Sequence, residues 1–397
     1  MADTLRDILG APNLIGRIED IVNGVPDDLL PQGFLKAERT TIGDRAEYVR
    51  VAGTRQTATV SRYGAPSRNV APAGVGRTPV TLLHAIESFN HDPTTLNLLI
   101  AEDQDQTRNP DTLLRQQMAR ETIQRQLDVF NTRFANLRVS AVYSVLGTGG
   151  IAFDASGNLL PPSATMGANS NAVDPINFGV PVGNTCNGGT SYQLSPFGTN
   201  IMQNWCYNSN NPTPNILGQL KKIKKAARKL TGHKLKYAFY AENIPGLIAM
   251  DPVLQAIIRG SQRVAEETIT AEVPASVGQL DWRPIDQAFF VDQNGNVNDW
   301  YDPNMIVFTP EPDPSWWEVI EGTYTVPRSI QLAADLEAVL GNIQQVAGPF
   351  GYSQITTDPT GLKHIGGDTF LPILKNAAAI MQVVVPNNAT GGPTAHQ

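Results

Sequence analysis

An α+β fold follows from three features of this 397-residue chain. One helical pattern runs unbroken over residues 109–146, alternating β stretches lie ahead of it, and behind it a mixed unit of helices and strands gives way to a β-rich tail. At roughly 150 residues per domain, the length allows two or three domains, or one large fold with excursions. Hydrophobic residues make up 41% and charged residues 17%, enough apolar material for a core and too little charge for general disorder.

The first 35 residues place Leu5, Ile8, Leu9, Ile15, Ile18, Ile21 and Val22 on a broken helical stripe that cannot bury itself and needs a surface to lie on. Residues 40–78 read as an extended hairpin. Its two β-rich arms, AEYVRVAG and RQTATVSRY, meet near Gly53-Thr54 and are followed by the Pro/Gly-rich return APSRNVAPAGVGRTP. Arg45, Arg50, Arg55, Arg62, Arg68 and Arg77 against Asp44 and Glu47 leave the hairpin at +4, whereas the first 35 residues sum to −4. A two-stranded arm is marginal in water by itself, so one this basic and this poor in apolar residues is expected to dock on an acidic partner.

Asn109 as cap, Pro110 in the first turn and Asp111 against the helix dipole open the long helix, and Gly147 is expected to close it. Leu114, Met118, Ile123, Leu127, Phe130, Phe134, Leu137, Ala141 and Val145 form one buried stripe. At 1.5 Å per residue the helix would be about 55 Å long, more than most globular domains are wide. Residues 153–214 are rich in Gly, Asn, Ser and Pro and read as loop, with a strand only in DPINFGVPVGNT. Ile216, Leu217, Leu220, Ile223, Ala227 and Leu230 then give a helix closed by Gly232. LKYAFYA reads as a strand, Asp251-Pro252 opens a helix ending at Gly260, AFFVDQNGNVNDWY is a hairpin, and MIVFTP is a buried strand.

Several classes of function lack their chemistry here. The net charge of −7 has the wrong sign for a protein that grips nucleic acid with its whole surface. No apolar run approaches the roughly 18 residues of a membrane span, and acids stand where a signal peptide needs a basic flank. Cys186 and Cys206 are read as two free thiols in a reducing compartment. There is no G-x-S-x-G, and none of His84, His91, His233, His364 and His396 sits in a triad-like context. LGTGG after the long helix is a helix-terminating turn and not a phosphate loop. The alternating Asp292, Asn294, Asn296 and Asn298 lack the bidentate Glu of a calcium loop. Lys221, Lys222, Lys224, Lys225, Arg228 and Lys229 read as a solvated face or subunit contact ahead of a polyanion site, because no aromatics interleave with them. Trp316 and Trp317 in DPSWW read as core or interface. No catalytic, cofactor-binding or metal-ligating residue is assigned.

The order of these segments resembles the major capsid proteins of tailed phages, of the Hong Kong 97 fold, and among them the lambda-type capsid protein E family. TPVTLLHAIESF after the hairpin, the long helix ending in SVLGTGG, and DPINFGVPVGN carry the resemblance. So do NILGQLKKIKKAARKLTG with AENIPGLIAMDPVLQAIIRG, VDQNGNVNDWYDPNMIVFTP, DPTG and TFLPILKNAAAIMQVVV. The resemblance implies an N-terminal arm at 1–39 and an extended loop at 40–88. A peripheral domain at 89–215 would hold the spine helix 109–146 and a loop-rich insertion 153–214. An axial domain at 216–340, returning peripheral strands at 341–385 and a polar tail at 386–397 complete the layout.

The function implied is a non-enzymatic head protein that builds hexamers and pentamers of an icosahedral shell around double-stranded DNA. It would be assembled in the host bacterial cytoplasm, need no cofactor, and meet scaffold, portal and decoration proteins, with only weak, non-specific contact to the packaged DNA. An encapsulin-type bacterial nanocompartment is the nearest alternative; an unrelated soluble enzyme or binding protein is the more distant one. In the shell, Arg45, Arg50, Arg55, Arg62 and Arg68 of one subunit are expected to reach Glu102, Asp103 and Asp105 of its neighbour. Some relatives join a loop lysine to a neighbour's asparagine. Residues 40–78 hold no lysine, the closest being Lys36, so a non-covalent shell is expected. Fewer than about 40 residues precede the hairpin, so either a separate scaffold or none is expected, since some relatives carry a long scaffolding extension there.

Overall fold

The computed structural model describes residues 30–51, 75–91, 110–153, 159, 173–181, 185–187, 205, 214–259, 273, 277–285, 290–291, 297–298, 301–327, 343–357 and 360–385. Its elements, in chain order, begin with a 3₁₀ turn at Gln32–Phe34 and strands β1 (Arg39–Ile42), β2 (Arg45–Val51), β3 (Val75–Thr81) and β4 (Leu83–His91). Helix α1 (Pro110–Thr148) leads into β5 (Gly150–Phe153), β6 (Val173–Asn177) and β7 (Thr185–Asn187). Next come α2 (Ile216–Thr231), β8 (Leu235–Tyr240), α3 (Ile244–Ala249), α4 (Pro252–Arg259), β9 (Asp281–Pro284), β10 (Phe290–Val291) and β11 (Val297–Asn298). The chain closes with β12 (Met305–Pro310), β13 (Trp317–Pro327), β14 (Ile343–Ala347), β15 (Phe350–Thr357), β16 (Thr360–Leu374) and β17 (Met381–Val384). Helices and strands are segregated without a regular βαβ repeat, so the class is α+β.

Two sheets organise the chain. In the six-stranded sheet, β13 pairs with β1 in parallel and with β14 and β16 antiparallel, while β16 also takes β15 and β4. The five-stranded sheet runs β7-β17-β12-β8-β9. This second sheet is covered on both sides. Val307 and Phe239 point into the larger core, which also holds Tyr143, Leu146, Trp317 and Leu371. Ile306, Phe308, Ala238 and Tyr240 point into a second core against Ile216, Leu220, Ile223 and Ala227 of α2. Burial on both faces is why MIVFTP lacks polar alternation: all six of its residues are buried.

Two strands pair across the expected segments. Strand β13, inside the presumed axial segment 216–340, belongs to the six-stranded sheet, and β17, inside the returning segment 341–385, is a middle strand of the other. Residues 30–35, within the expected arm 1–39, lie on the body: Phe34 is fully buried and meets Tyr237, Phe239, Trp316 and Trp317 edge-on at 5.4–6.0 Å. The insertion 153–214 supplies the edge strand β7 and the buried Trp205, whose indole N–H donates to Gln219 Oε1 at 2.8 Å. The physical reason is the same throughout: strand pairing is non-local, and composition along the chain does not specify which distant strands share an edge.

The long helix spans 39 residues, about 58 Å at 1.5 Å per residue. It ends at Thr148 and not at Gly147. Gly149 carries the left-handed φ of 75°, and its N–H closes on Val145 O at 2.8 Å, the usual terminal arrangement. Gly147 answers a different need, since a Cβ there would lie 2.4 Å from the Tyr301 ring. Helix α2 behaves as expected, with Asn215 Oδ1 accepting from the Gly218 N–H and Gly232 closing the helix at φ 84°. Asp251 Oδ1 likewise accepts from the Val253 N–H at the start of α4.

Candidate inter-subunit surfaces

The hairpin is real at its base, but its second arm differs from expectation. Strand β2 pairs over seven residues with β3, from Arg45 opposite Thr81 to Val51 opposite Val75. The partner is therefore the stretch read as a Pro/Gly-rich return, while RQTATVSRY and the Gly53-Thr54 turn lie outside the described residues. Pro79 is tolerated because a two-stranded ribbon leaves each strand one unpaired edge. The pleat then sorts the side chains. Ala46 and Tyr48 are buried, with Tyr48 edge-on to Phe178 at 5.8 Å, while Arg45 and Glu47 on the other row are exposed.

The base is held firmly. Gly43 adopts φ 78° where nothing lies near its missing Cβ, so backbone conformation and not crowding calls for glycine. Its N–H donates to Thr323 Oγ1 at 3.2 Å, the Leu82 N–H donates to Asp44 O at 2.7 Å, and Arg39 Nη2 donates to Glu47 O at 2.7 Å. Strands β1 and β4 flank it within the six-stranded sheet, so the expected loop 40–88 begins and ends in strands of that sheet. Ile42, beside the pivot, is 82% exposed.

Helix α1 is divided lengthwise. From Phe134 onward its stripe enters the core through Ala135, Val139, Val142, Tyr143 and Leu146. Ahead of that point Glu121, Arg125, Val129, Thr132 and Arg133 are exposed, Val129 by 65%. Arg133 Nη2 reaches Glu87 Oε1 on β4 at 2.8 Å, and Phe134 packs with Ala85 and Phe89 of that strand.

Of the residues assigned to the inter-subunit contact, Arg45 is exposed on β2, and Arg50 occupies the register position opposite Gly76. Arg55, Arg62, Arg68, Glu102, Asp103 and Asp105 lie outside the described residues.

A charged cluster that was not anticipated lies under the helix. Arg138 is 4% exposed; its Nε donates to Asp368 Oδ2 at 2.5 Å and its Nη2 to Asp368 Oδ1 and Glu321 Oε1, both at 2.8 Å. The guanidinium also stands 5.0 Å from the Phe370 ring centroid. Burial by itself would lower the pKa of Arg138, but the Asp368 and Glu321 carboxylates overcome that and hold it above the ordinary arginine value. One signal was available. Arg138 sits four residues after Phe134 and three before Ala141, on the apolar stripe itself, where an unpaired cation would be untenable. The cluster fastens α1 to both β13 and β16, so it fixes the angle at which the long helix leaves the body.

Among the described residues, no three His, Cys, Asp or Glu side chains converge as a metal site would require, and no described helix is long and apolar enough to cross a membrane.

No protein-family model and no curated protein matches the chain. It is similar to solved structures at low identity. One is a candidate capsid protein of a prophage from E. coli CFT073, at 12% identity and TM-score 0.47, covering 95% of this chain and 99% of that one. Another is a phage-related protein from Bordetella bronchiseptica RB50, at 10% identity and TM-score 0.47, covering 96% and 98%. A third is the mature capsid of bacteriophage PhiM1, at 11% identity and TM-score 0.41, covering 88% and 85%.

Proposed function

We propose that this chain is a shell-building subunit of Hong Kong 97 type, the major capsid protein of a tailed phage. It forms hexamers and pentamers around double-stranded DNA, becomes part of the virion, and is put together in the host bacterial cytoplasm. The carrying observation is the pairing of a firmly rooted hairpin with a helix of about 58 Å whose described side chains ahead of Phe134 are all exposed. Ile42, at the end of β1 beside the hairpin root, and Val129 on the helix are exposed apolar side chains, and a second copy is the natural cover for them.

A shell needs repeated interfaces that tolerate both fivefold and sixfold surroundings, and no reaction centre. A hairpin with a short paired root held by the sheet meets that need: the root sets its direction. Arg50 and Arg62 of one subunit, meeting acids of the next at Glu102, Asp103 and Asp105, would add register more than raw affinity.

The test is electron microscopy of the purified chain beside the Arg50→Glu, Arg62→Glu double variant. The wild type is expected as hollow particles or capsomer rings, and the double variant as folded, unassembled subunits. Normal particles from the variant would remove the arginine contact from the proposal. A wild-type chain that stays monomeric at every concentration would remove the shell.

A further inference from the structure

We propose that the exposed basic face of α2 binds the phosphate backbone of duplex DNA. This deepens the reading of the chain as the wall of a DNA container by naming the surface that meets the contents. Helix α2 carries six cations and no acid over sixteen residues. At 100° per residue, Lys221, Lys222, Lys224, Lys225, Arg228 and Lys229 fall within an arc of about 160°, opposite the buried Ile216, Leu220, Ile223 and Ala227. All of these cations are exposed except Lys224, which is partly buried and donates to Gly278 O at 2.8 Å. Lys234, just past the helix end, is also exposed and lies near enough to Lys224 to depress its pKa, behind the larger effect of burial.

Ordinary structural roles do not account for the whole set. Arg228 and Lys229 occupy the last turn, where they complement the negative end of the helix dipole. Lys221, Lys222 and Lys225 stand further toward the positive end, where that benefit is absent. Lys221 and Lys225, and again Lys225 and Lys229, are like charges at i, i+4, a spacing that weakens a helix. A polyanion lying along the face adds an attraction to every one of these cations that offsets those costs.

Residue type selects the polyanion. All three cations without a role in the helix are lysines, hydrated point charges suited to a diffuse row of phosphates, whereas a defined carboxylate surface favours the planar fork of arginine. The helix carries no aromatic side chain, so it offers no stacking for unpaired bases and points to the double-stranded form. Lys221 to Lys229 span about 12 Å of helix axis, over which a duplex presents about seven charges. The rest of the chain carries −13, since the whole is −7 and α2 supplies +6. That excess confines binding to this face and keeps it weak enough for the DNA to move.

The experiment measures anisotropy of a labelled random-sequence duplex with the full-length chain between 50 and 200 mM salt, against the Lys221→Gln, Lys222→Gln, Lys225→Gln triple variant. With about four phosphate contacts, wild-type affinity is expected to fall roughly 150-fold across that range. The triple variant should lose only about fourfold, its salt slope being smaller by about 2.7. Each single variant should lower the slope by about 0.9, which keeps the test decisive should the triple variant fold poorly. Lys36→Gln, at an exposed lysine elsewhere, should leave it unchanged.

No duplex binding, equal slopes in wild type and variants, or preference for polyglutamate over duplex would overturn the proposal, the last by pointing to an acidic protein surface. Assembly is read separately by microscopy. A triple variant that forms particles and has lost duplex binding is the expected result, and a wild type that binds duplex without assembling would sink the shell while leaving this surface standing.

Discussion

Replacing Arg138 by Met should unfold the subunit far more readily than any surface change, and the structure sets the size of the effect. Asp368 is fully buried and accepts two hydrogen bonds from Arg138, and the Glu321 side chain, 14% exposed, accepts a third. Met fills most of the volume but leaves both carboxylates facing apolar neighbours. Removing one partner of a buried ion pair costs about 3–5 kcal/mol, a large part of the roughly 5–15 kcal/mol that holds a typical domain. The assay is urea unfolding of unassembled subunits followed by fluorescence, for which the buried Trp316 and Trp317 are reporters. With an m-value near 3 kcal/mol/M, a loss of about 4 kcal/mol lowers the midpoint by about 1.3 M. Adding Asp368→Leu should recover at least half of that loss, because the stranded charge and not the missing cation carries most of it. A change of less than about 1 kcal/mol in the single variant, outside the range for a buried pair, would refute this account of how the helix is fastened.

Two further outcomes are expected. Tyr301 is buried, its hydroxyl donates to Tyr143 O at 2.7 Å, and burial pushes its pKa well above the ordinary tyrosine value; Tyr301→Phe should cost about 1 kcal/mol in the same assay. Because the folded pKa is raised, this phenol's contribution is full below about pH 10 and is lost as the pH rises beyond it, where the unfolded phenol ionises first. The Phe variant should therefore show a shallower alkaline loss than wild type. Mature particles boiled in detergent should run as monomers, since residues 40–78 contain no lysine to supply a bond-forming amine; a ladder of joined rings would contradict this.

Elements defined by short-range pattern were legible in advance. The long helix, α2 with its closing Gly232, the Asp251-Pro252 helix start and the buried MIVFTP strand all rest on periodicity, capping chemistry and turn residues that act over a few positions. The hairpin was half legible. Its alternating first arm was readable as β2, but β3 carries Gly76 and Pro79, which read as turn material, so its pairing with β2 depends on tertiary register. The contact residues were legible only as charge. Arg45 and Arg50 stand on a real strand, while the remaining arginines and the acids lie beyond the described residues.

Composition and periodicity settled that this chain has a core, a helix too long for that core, a basic arm and a helix with one cationic face, because each depends on neighbours within a few residues. Tertiary structure alone decided that β13 and β17 exchange sheets relative to their place in the sequence, that Phe34 plugs an aromatic cluster, and that Arg138 finds Asp368 230 residues away. The difference is one of range. Helix propensity and capping act within a few residues along the chain, whereas strand partnership and buried charge pairing compare alternatives far apart in sequence, and only the assembled core selects among them.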